Sequence, residues 1–364
     1  MIYILVNNNY HLIDLKSYLQ DVDIDDLCLI RIPHTLSDDL LGLTFKKIYT
    51  FPYFYTGIKS LLNVPGVRRQ LRSVRESLTP RPDDVLVVFT DFEVLNQYII
   101  AHFRKYRCRI AMLEDGMATV CVGNMEKQRL TLSNRLVKFI FRRIYGFSYL
   151  DMFGKGHNIF PIIKDTFIDG IGLSIKAPVN RNIPAFQLST SASVVNNLKD
   201  DVLLFINQDI YNFGIVTMDE YIAELDRIFE AATRNFREVY FKFHPREKPA
   251  DIKRIEDVMS KYQVTLLATK QPIELVIDEI RPQYVASFYS SALKSLFLRG
   301  VQPFFLYHLL QVFRDRSIVD TLNKYLQYIN YLFIKKYDDI KPGYRCSILT
   351  DASALTFKEF IDRL

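Results

Sequence analysis

The sequence predicts an α/β protein made of two doubly wound, Rossmann-like domains facing across a cleft. Three observations carry that expectation. The chain has 364 residues, too many for one typical core. Strand-like apolar runs alternate with helical spacings in two separate blocks, the pattern of βαβ units around a largely parallel sheet. Between the blocks, residues 176–199 carry Pro178, Pro184 and a Ser/Thr/Asn-rich stretch with weak periodicity, which reads as a linker. The expected division is a first domain at 1–175, a linker at 176–200 and a second domain with a helical tail at 201–364.

In the first block, strands are expected at 2–6, 27–32, 47–50, 84–89 and 109–113, with helices at 57–78 and 92–106. The opening apolar run has no charged leader and ends in Asn7-Asn8-Asn9, so it reads as a first strand and not a signal peptide. In the second block, 202–207 is a strand, and Tyr221, Leu225, Ile228 and Phe229 give 218–235 its helical spacing. Strands follow at 239–243, 263–267 and 284–288, alternating with helices at 249–261, 273–279 and 291–299. No run approaches the ~18 apolar residues of a membrane span.

The formal charge of +6 comes from 47 basic against 41 acidic side chains. That excess is too small to imply nucleic-acid binding, but it suits work beside anionic lipid or polysaccharide. Cys28, Cys108, Cys121 and Cys346 are scattered, which argues against a zinc site or a disulfide framework and for a reducing compartment. The expected location is cytoplasmic. Residues 130–147 place Arg135, Lys138 and Arg142 apart from Leu136, Phe139, Ile140 and Ile144. Such a basic amphipathic helix either lies on an anionic membrane or packs on its own domain with a solvated face.

Several familiar patterns fail. Asp21-Val22-Asp23-Ile24-Asp25 has Asp26 and Ile32 where a calcium loop needs glycine and glutamate. Gly170-Ile171-Gly172 lacks the third glycine of a dinucleotide fingerprint, and neither a P-loop nor a GxSxG elbow occurs.

Three clusters at strand ends remain. Glu114-Asp115-Gly116 closes the strand at 109–113, so its two acids point to opposite faces and take different roles. One is a candidate general base for a hydroxyl; the plain alternative is a solvated turn. His244-Pro245 follows the strand at 239–243, and Pro245 holds His244 extended. Lys242, Arg246 and Lys248 make that neighbourhood positive, so His244 suits a phosphate oxygen or a leaving group. Ser290-Ser291 opens the helix at 291–299, where free N–H groups favour an anion and where serine also serves as a simple cap. Glu274, in the first turn of a short helix before the last strand, points to the same edge and could accept from ribose hydroxyls.

The ordered set acid-acid-Gly, His-Pro and Ser-Ser resembles the bacterial sialyltransferases of the two-domain GT-B fold. The likeness is to the lipooligosaccharide/capsule sialyltransferase group, with the bacterial polysialyltransferases as relatives. Asn207-Gln208-Asp209 stands where relatives often carry a Gly-Gln-Pro-like turn, so no role for Gln208 or Asp209 is carried over. The resemblance implies inverting transfer of sialic acid from CMP-sialic acid to a sugar hydroxyl, with neither cofactor nor metal. Asp115 would be the base, with Glu114 its acid-pair partner. His244 would stabilise the departing phosphate, Ser290 and Ser291 would hold it, and Glu274 the ribose. Lys242, Pro245 and Arg246 complete the nucleotide side.

The implied acceptor is a lipid-linked surface oligosaccharide ending in galactose, reached by peripheral contact with the inner membrane. A homodimer is left open. Another GT-B glycosyltransferase of surface glycans, using CMP-Kdo or a UDP-sugar, is the alternative. A third class is a non-catalytic binding protein on the same fold, which the coexistence of the clusters disfavours.

Overall fold

The computed structural model describes the chain except residues 20–21, 37–38, 54–62, 117–138, 140–142, 144–149, 156–157, 178, 180, 192, 213, 245–246, 270, 311–315, 328, 331–333, 346 and 349–352. It divides into two units, Met1–Ser191 with Thr350–Leu364, and Ala192–Leu349.

The first unit is built on a parallel sheet. Its strands are β1 (Ile2–Asn8), β2 (Leu27–Thr35), β3 (Lys47–Thr50), β4 (Val85–Val88) and β5 (Arg109–Leu113). After a hairpin of β6 (Leu150–Lys155) and β7 (Asn158–Ile163) come β8 (Gly170–Leu173) and β9 (Ala185–Gln187). The seven-stranded order is β3-β2-β1-β4-β5-β8-β9, so the winding reverses between β1 and β4. Central strands covered on both faces read as unbroken apolar runs, and the Val-Leu-Val-Val of β4 is buried throughout. The crossover helices include α1 (Asn9–Tyr18), α2 (Val64–Ser77) and α3 (Val94–Lys105).

The second unit repeats this plan. Its strands are β10 (Lys199–Ile206), β11 (Glu238–Lys242), β12 (Val264–Leu266), β13 (Pro282–Ser287) and β14 (Gln302–Phe305). All pair parallel in the order β12-β11-β10-β13-β14, with the reversal between β10 and β13. Its helices are α4 (Met218–Asn235), α5 (Pro249–Met259), α6 (Ile273–Ile280), α7 (Ala292–Leu298) and α8 (Arg316–Leu326). A capping box between Thr217 and Glu220 starts α4, and its buried face carries Tyr221, Leu225, Ile228 and Phe229. A short antiparallel pair, β15 (Ile329–Asn330) and β16 (Ser347–Ile348), completes the unit.

The expected boundaries need two corrections. Residues 176–200 do not form a linker between domains: β9 is the outer strand of the first sheet, and Arg181 is buried in an ion pair with Asp91 at 3.0 Å. The tail does not end the second domain. The last helix, α9 (Phe357–Arg363), buries Phe357, Phe360 and Ile361 in the core of the first unit with Leu12, Phe89 and Leu113. The Leu355 N–H donates to the Gln187 carbonyl at 2.9 Å, and Arg109 Nη1 donates to the Ile361 carbonyl at 2.9 Å. Apolar burial drives the tail home, and these bonds set its register.

The basic helix expected at 130–147 lies outside the described residues, apart from positions 139 and 143. Among the described residues, no helix is long and apolar enough to cross a membrane.

Candidate active site

In the first unit, the turns after three adjacent strands meet at the carboxyl edge of the sheet, beside its switch point. Gly116, with φ of 59°, lets the chain turn away after β5. Glu114 and Asp115 then part company. Glu114 is 1% exposed, and its Oε1 accepts the Ser174 backbone N–H at 2.6 Å and the Ser174 hydroxyl, tying β5 to the end of β8.

The Asp115 side chain is 33% exposed, and its Oδ1 lies 3.4 Å from Nε2 of His11, which is fully buried. The His11 ring is held from every side. It stacks on Phe89, with centroids 4.4 Å apart and planes 7° from parallel. Its Nδ1 accepts the Asn7 backbone N–H at 3.1 Å, and its own backbone N–H caps onto Asn8 Oδ1 at 3.0 Å. With Nδ1 taken up by the Asn7 N–H, Nε2 is the ring nitrogen that faces the Asn8 amide and Asp115. The Asn8 amide nitrogen meets Nε2 at 3.1 Å, closer than Asp115 does. Beneath the pair, Asn7 and Asn96 exchange amide hydrogen bonds of 3.1 and 2.9 Å, joining β1 to α3 at the switch point.

The second unit builds its edge from the ends of β10, β11 and β13. His244 Nδ1 lies 3.5 Å from Oδ1 of Asp209, with side-chain exposures of 27% and 9%. The turn after His244 is anchored from below. The Glu247 N–H donates to the His244 carbonyl at 3.1 Å, and the Glu247 carboxylate accepts from Asn207 and from the Tyr211 hydroxyl. Burial raises the Glu247 pKa, while those hydrogen bonds oppose the rise. Gln208 Oε1 accepts the Tyr289 N–H at 2.7 Å and the Ser287 hydroxyl at 3.1 Å, fixing the approach to Ser290. Ser290 Oγ accepts the Ala292 N–H at 3.3 Å, whereas Ser291 makes no side-chain cap at the start of α7.

Lys242 corrects one expectation: it is 4% exposed and so adds no solvated charge at this edge. Burial pushes its ammonium below the usual pKa, against the pull of Glu274. Glu274 is also buried. Its Oε1 lies 2.7 Å from the Ser295 hydroxyl, and burial raises its carboxyl pKa, with Ser295, Lys242 and Arg299 opposing. Its carboxylate is thus turned inward onto α7. Pro245 and Arg246 lie outside the described residues.

Within the second unit, then, His244 follows β11 and Ser290 and Ser291 follow β13, the two strands that flank β10, and Lys242 and Glu274 are buried. Asp115 stands at the corresponding edge of the first unit. Sequence reasoning missed His11, Ser174 and the anchoring role of Glu247, and it gave Gln208 and Asp209 no part. For His11 the readable signal is Asn8, a capping residue three positions ahead of it. Among the described residues, no three His, Cys, Asp or Glu side chains gather as a metal-binding group.

A family model described as alpha-2,8-polysialyltransferase matches residues 4–295, a stretch that contains every cluster above. No curated protein matches the chain. Among solved structures, UDP-GlcNAc 2-epimerase from Methanocaldococcus jannaschii is similar with a TM-score of 0.52 and 12% identity, over 100% of this chain and 99% of that one. That likeness is one of fold, the paired parallel-sheet architecture of the GT-B kind expected from the sequence. An alpha/beta-galactoside alpha-2,3-sialyltransferase from Photobacterium phosphoreum aligns with a TM-score of 0.43 and 11% identity, over 89% of this chain and 94% of that one.

Proposed function

The chain belongs to the alpha-2,8-polysialyltransferase family and is a glycosyltransferase, and from that premise we propose that it moves sialic acid from CMP-sialic acid to a hydroxyl of a bacterial surface glycan. The reaction is an inverting displacement that needs no metal. What supports this reading above all is that the stretch matched by the family contains Asp115, His244, Ser290 and Ser291, each of which follows a strand of a parallel sheet.

Asp115 acts on the acceptor. Its carboxylate takes the proton of the attacking hydroxyl as that oxygen bonds to the anomeric carbon of sialic acid. The bond from that carbon to the phosphate oxygen breaks, and its electron pair leaves with CMP. His244, oriented by Asp209, donates a hydrogen bond to the phosphate as charge collects there. Ser290 and Ser291 line the phosphate side, where the Ser291 hydroxyl is not spent on capping α7. Glu274 would meet a ribose hydroxyl only if its carboxylate gave up its place beside Ser295, so it is the weakest of the assigned contacts. CMP carries one phosphate, which fixed N–H and hydroxyl donors can balance without a divalent ion.

The sequence resemblance makes terminal galactose the acceptor. The alpha-2,8 description of the family favours a second reading, in which the accepting hydroxyl belongs to sialic acid itself.

A thermal-shift panel of CMP, CMP-sialic acid, CMP-Kdo, UDP-sugars and GDP-sugars tests the donor, because a bound ligand stabilises by mass action. CMP and CMP-sialic acid should raise the melting temperature. A rise with CMP-Kdo or UDP-sugars alone would move the assignment to those donors. Galactose-terminated and sialic-acid-terminated oligosaccharides, offered with whichever donor binds, then separate the two acceptors.

A further inference from the structure

We propose that His11 is the positioning residue of Asp115: a buried, immobilised imidazole whose Nε2, 3.4 Å from Oδ1, holds the carboxylate in the orientation from which it takes the acceptor proton. The inference rests on the reading of Asp115 as the base.

A side chain one-third exposed at the end of a strand has several rotamers open to it, and a base must present one oxygen in one direction. His11 answers that need because it has no freedom of its own. Its ring is fully buried and lies flat on Phe89, and the Asn7 N–H occupies Nδ1. The ring therefore cannot turn over without losing a buried backbone hydrogen bond. The Asn8 cap fixes the start of α1, and with it the backbone that carries the ring. Ring plane and backbone are thus both set before Asp115 is reached. A buried histidine kept only for packing would need no such arrangement, since leucine fills a similar volume without a polar atom to satisfy.

The test compares His11→Leu, His11→Gln and Asp115→Asn in the full-length chain. Leucine keeps the bulk against Phe89 and removes Nε2. Glutamine carries an amide N–H to the place of Nε2. The expected result is a fall in kcat of about tenfold or more in His11→Leu, with both KM values close to wild type and a lowered melting temperature, because the buried Asn7 N–H loses its acceptor. His11→Gln should recover most of the loss.

A folded His11→Leu variant with wild-type kcat, beside an inactive Asp115→Asn, would overturn the role of His11 and leave the base assignment standing. Equal losses of kcat in both His11 variants, with no recovery in His11→Gln, would make His11 a packing residue and also overturn the role. An active Asp115→Asn would remove the base assignment and the inference with it.

Discussion

The two units set the same two residue types at the same edge of the same kind of sheet, with the exposures reversed. In the first, the imidazole of His11 is sealed in and the carboxylate of Asp115 is 33% exposed. In the second, Asp209 is 9% exposed and His244 27%. The member facing solvent decides what each pair offers. An exposed carboxylate with a fixed imidazole behind it can take a proton. An exposed imidazole with a carboxylate behind it can donate a hydrogen bond to developing negative charge. The burial of each partner follows from its place in the chain: His11 sits on the first turn of α1 against Phe89, whereas His244 follows β11, its carbonyl accepting the Glu247 N–H.

The contrast predicts different failures in the two units. The largest loss should come from Asp115→Asn, which lowers turnover by roughly 10²-fold or more while CMP-sialic acid affinity in calorimetry stays the same. Weakened donor binding in that variant would break the division of labour. His244→Ala should lower turnover less, by about tenfold to a hundredfold, and should also weaken CMP binding, because a charge-assisted hydrogen bond to phosphate contributes to both. Unchanged CMP affinity in both His244→Ala and Ser290→Ala would sink the phosphate role.

Asp209→Asn removes the charge behind His244 but not its neighbour, and turnover should fall by only a few-fold, about what one partly exposed contact supplies. A loss as large as that of His244→Ala would mean that Asp209 itself meets the substrate.

The smallest effect concerns stability. Burial raises the Glu274 pKa above its ordinary 4.5, so the folded state holds that proton more tightly than the unfolded chain. Its contribution is therefore fullest at low pH and declines as pH rises through the raised value. Lys242 and Arg299 face it and limit the decline. Glu274→Gln should flatten the melting temperature over that range; an unaltered pH dependence would contradict the assignment.

Much of this was legible in the chain, for physical reasons that also mark the limit. β3, β5 and α4 run over the residues expected of them, because runs such as Arg109–Leu113 are apolar and sharply ended and α4 has a clear buried face behind its capping box. The catalytic candidates could be found because parallel sheets put the turns after their strands at one edge. What could not be read depends on contacts distant in sequence. α1 is too weakly amphipathic to be recognised by spacing, so His11 stayed hidden beside an obvious strand. Arg181 lies in a stretch rich in proline and serine whose composition suggests a linker, and only its ion pair with Asp91 shows otherwise. Phe357 and Phe360 read as an ordinary amphipathic tail; nothing local says which core they fill.

That tail orders the birth of the protein. The second unit is one continuous stretch, Ala192–Leu349, and has all its residues as soon as that stretch has left the ribosome. The first unit begins earlier but lacks Phe357 and Phe360 until residues 350–364 have been made. The half of the enzyme translated first is thus the last to close its core, and the sheet bearing Asp115 waits on the very residues that a premature stop would remove.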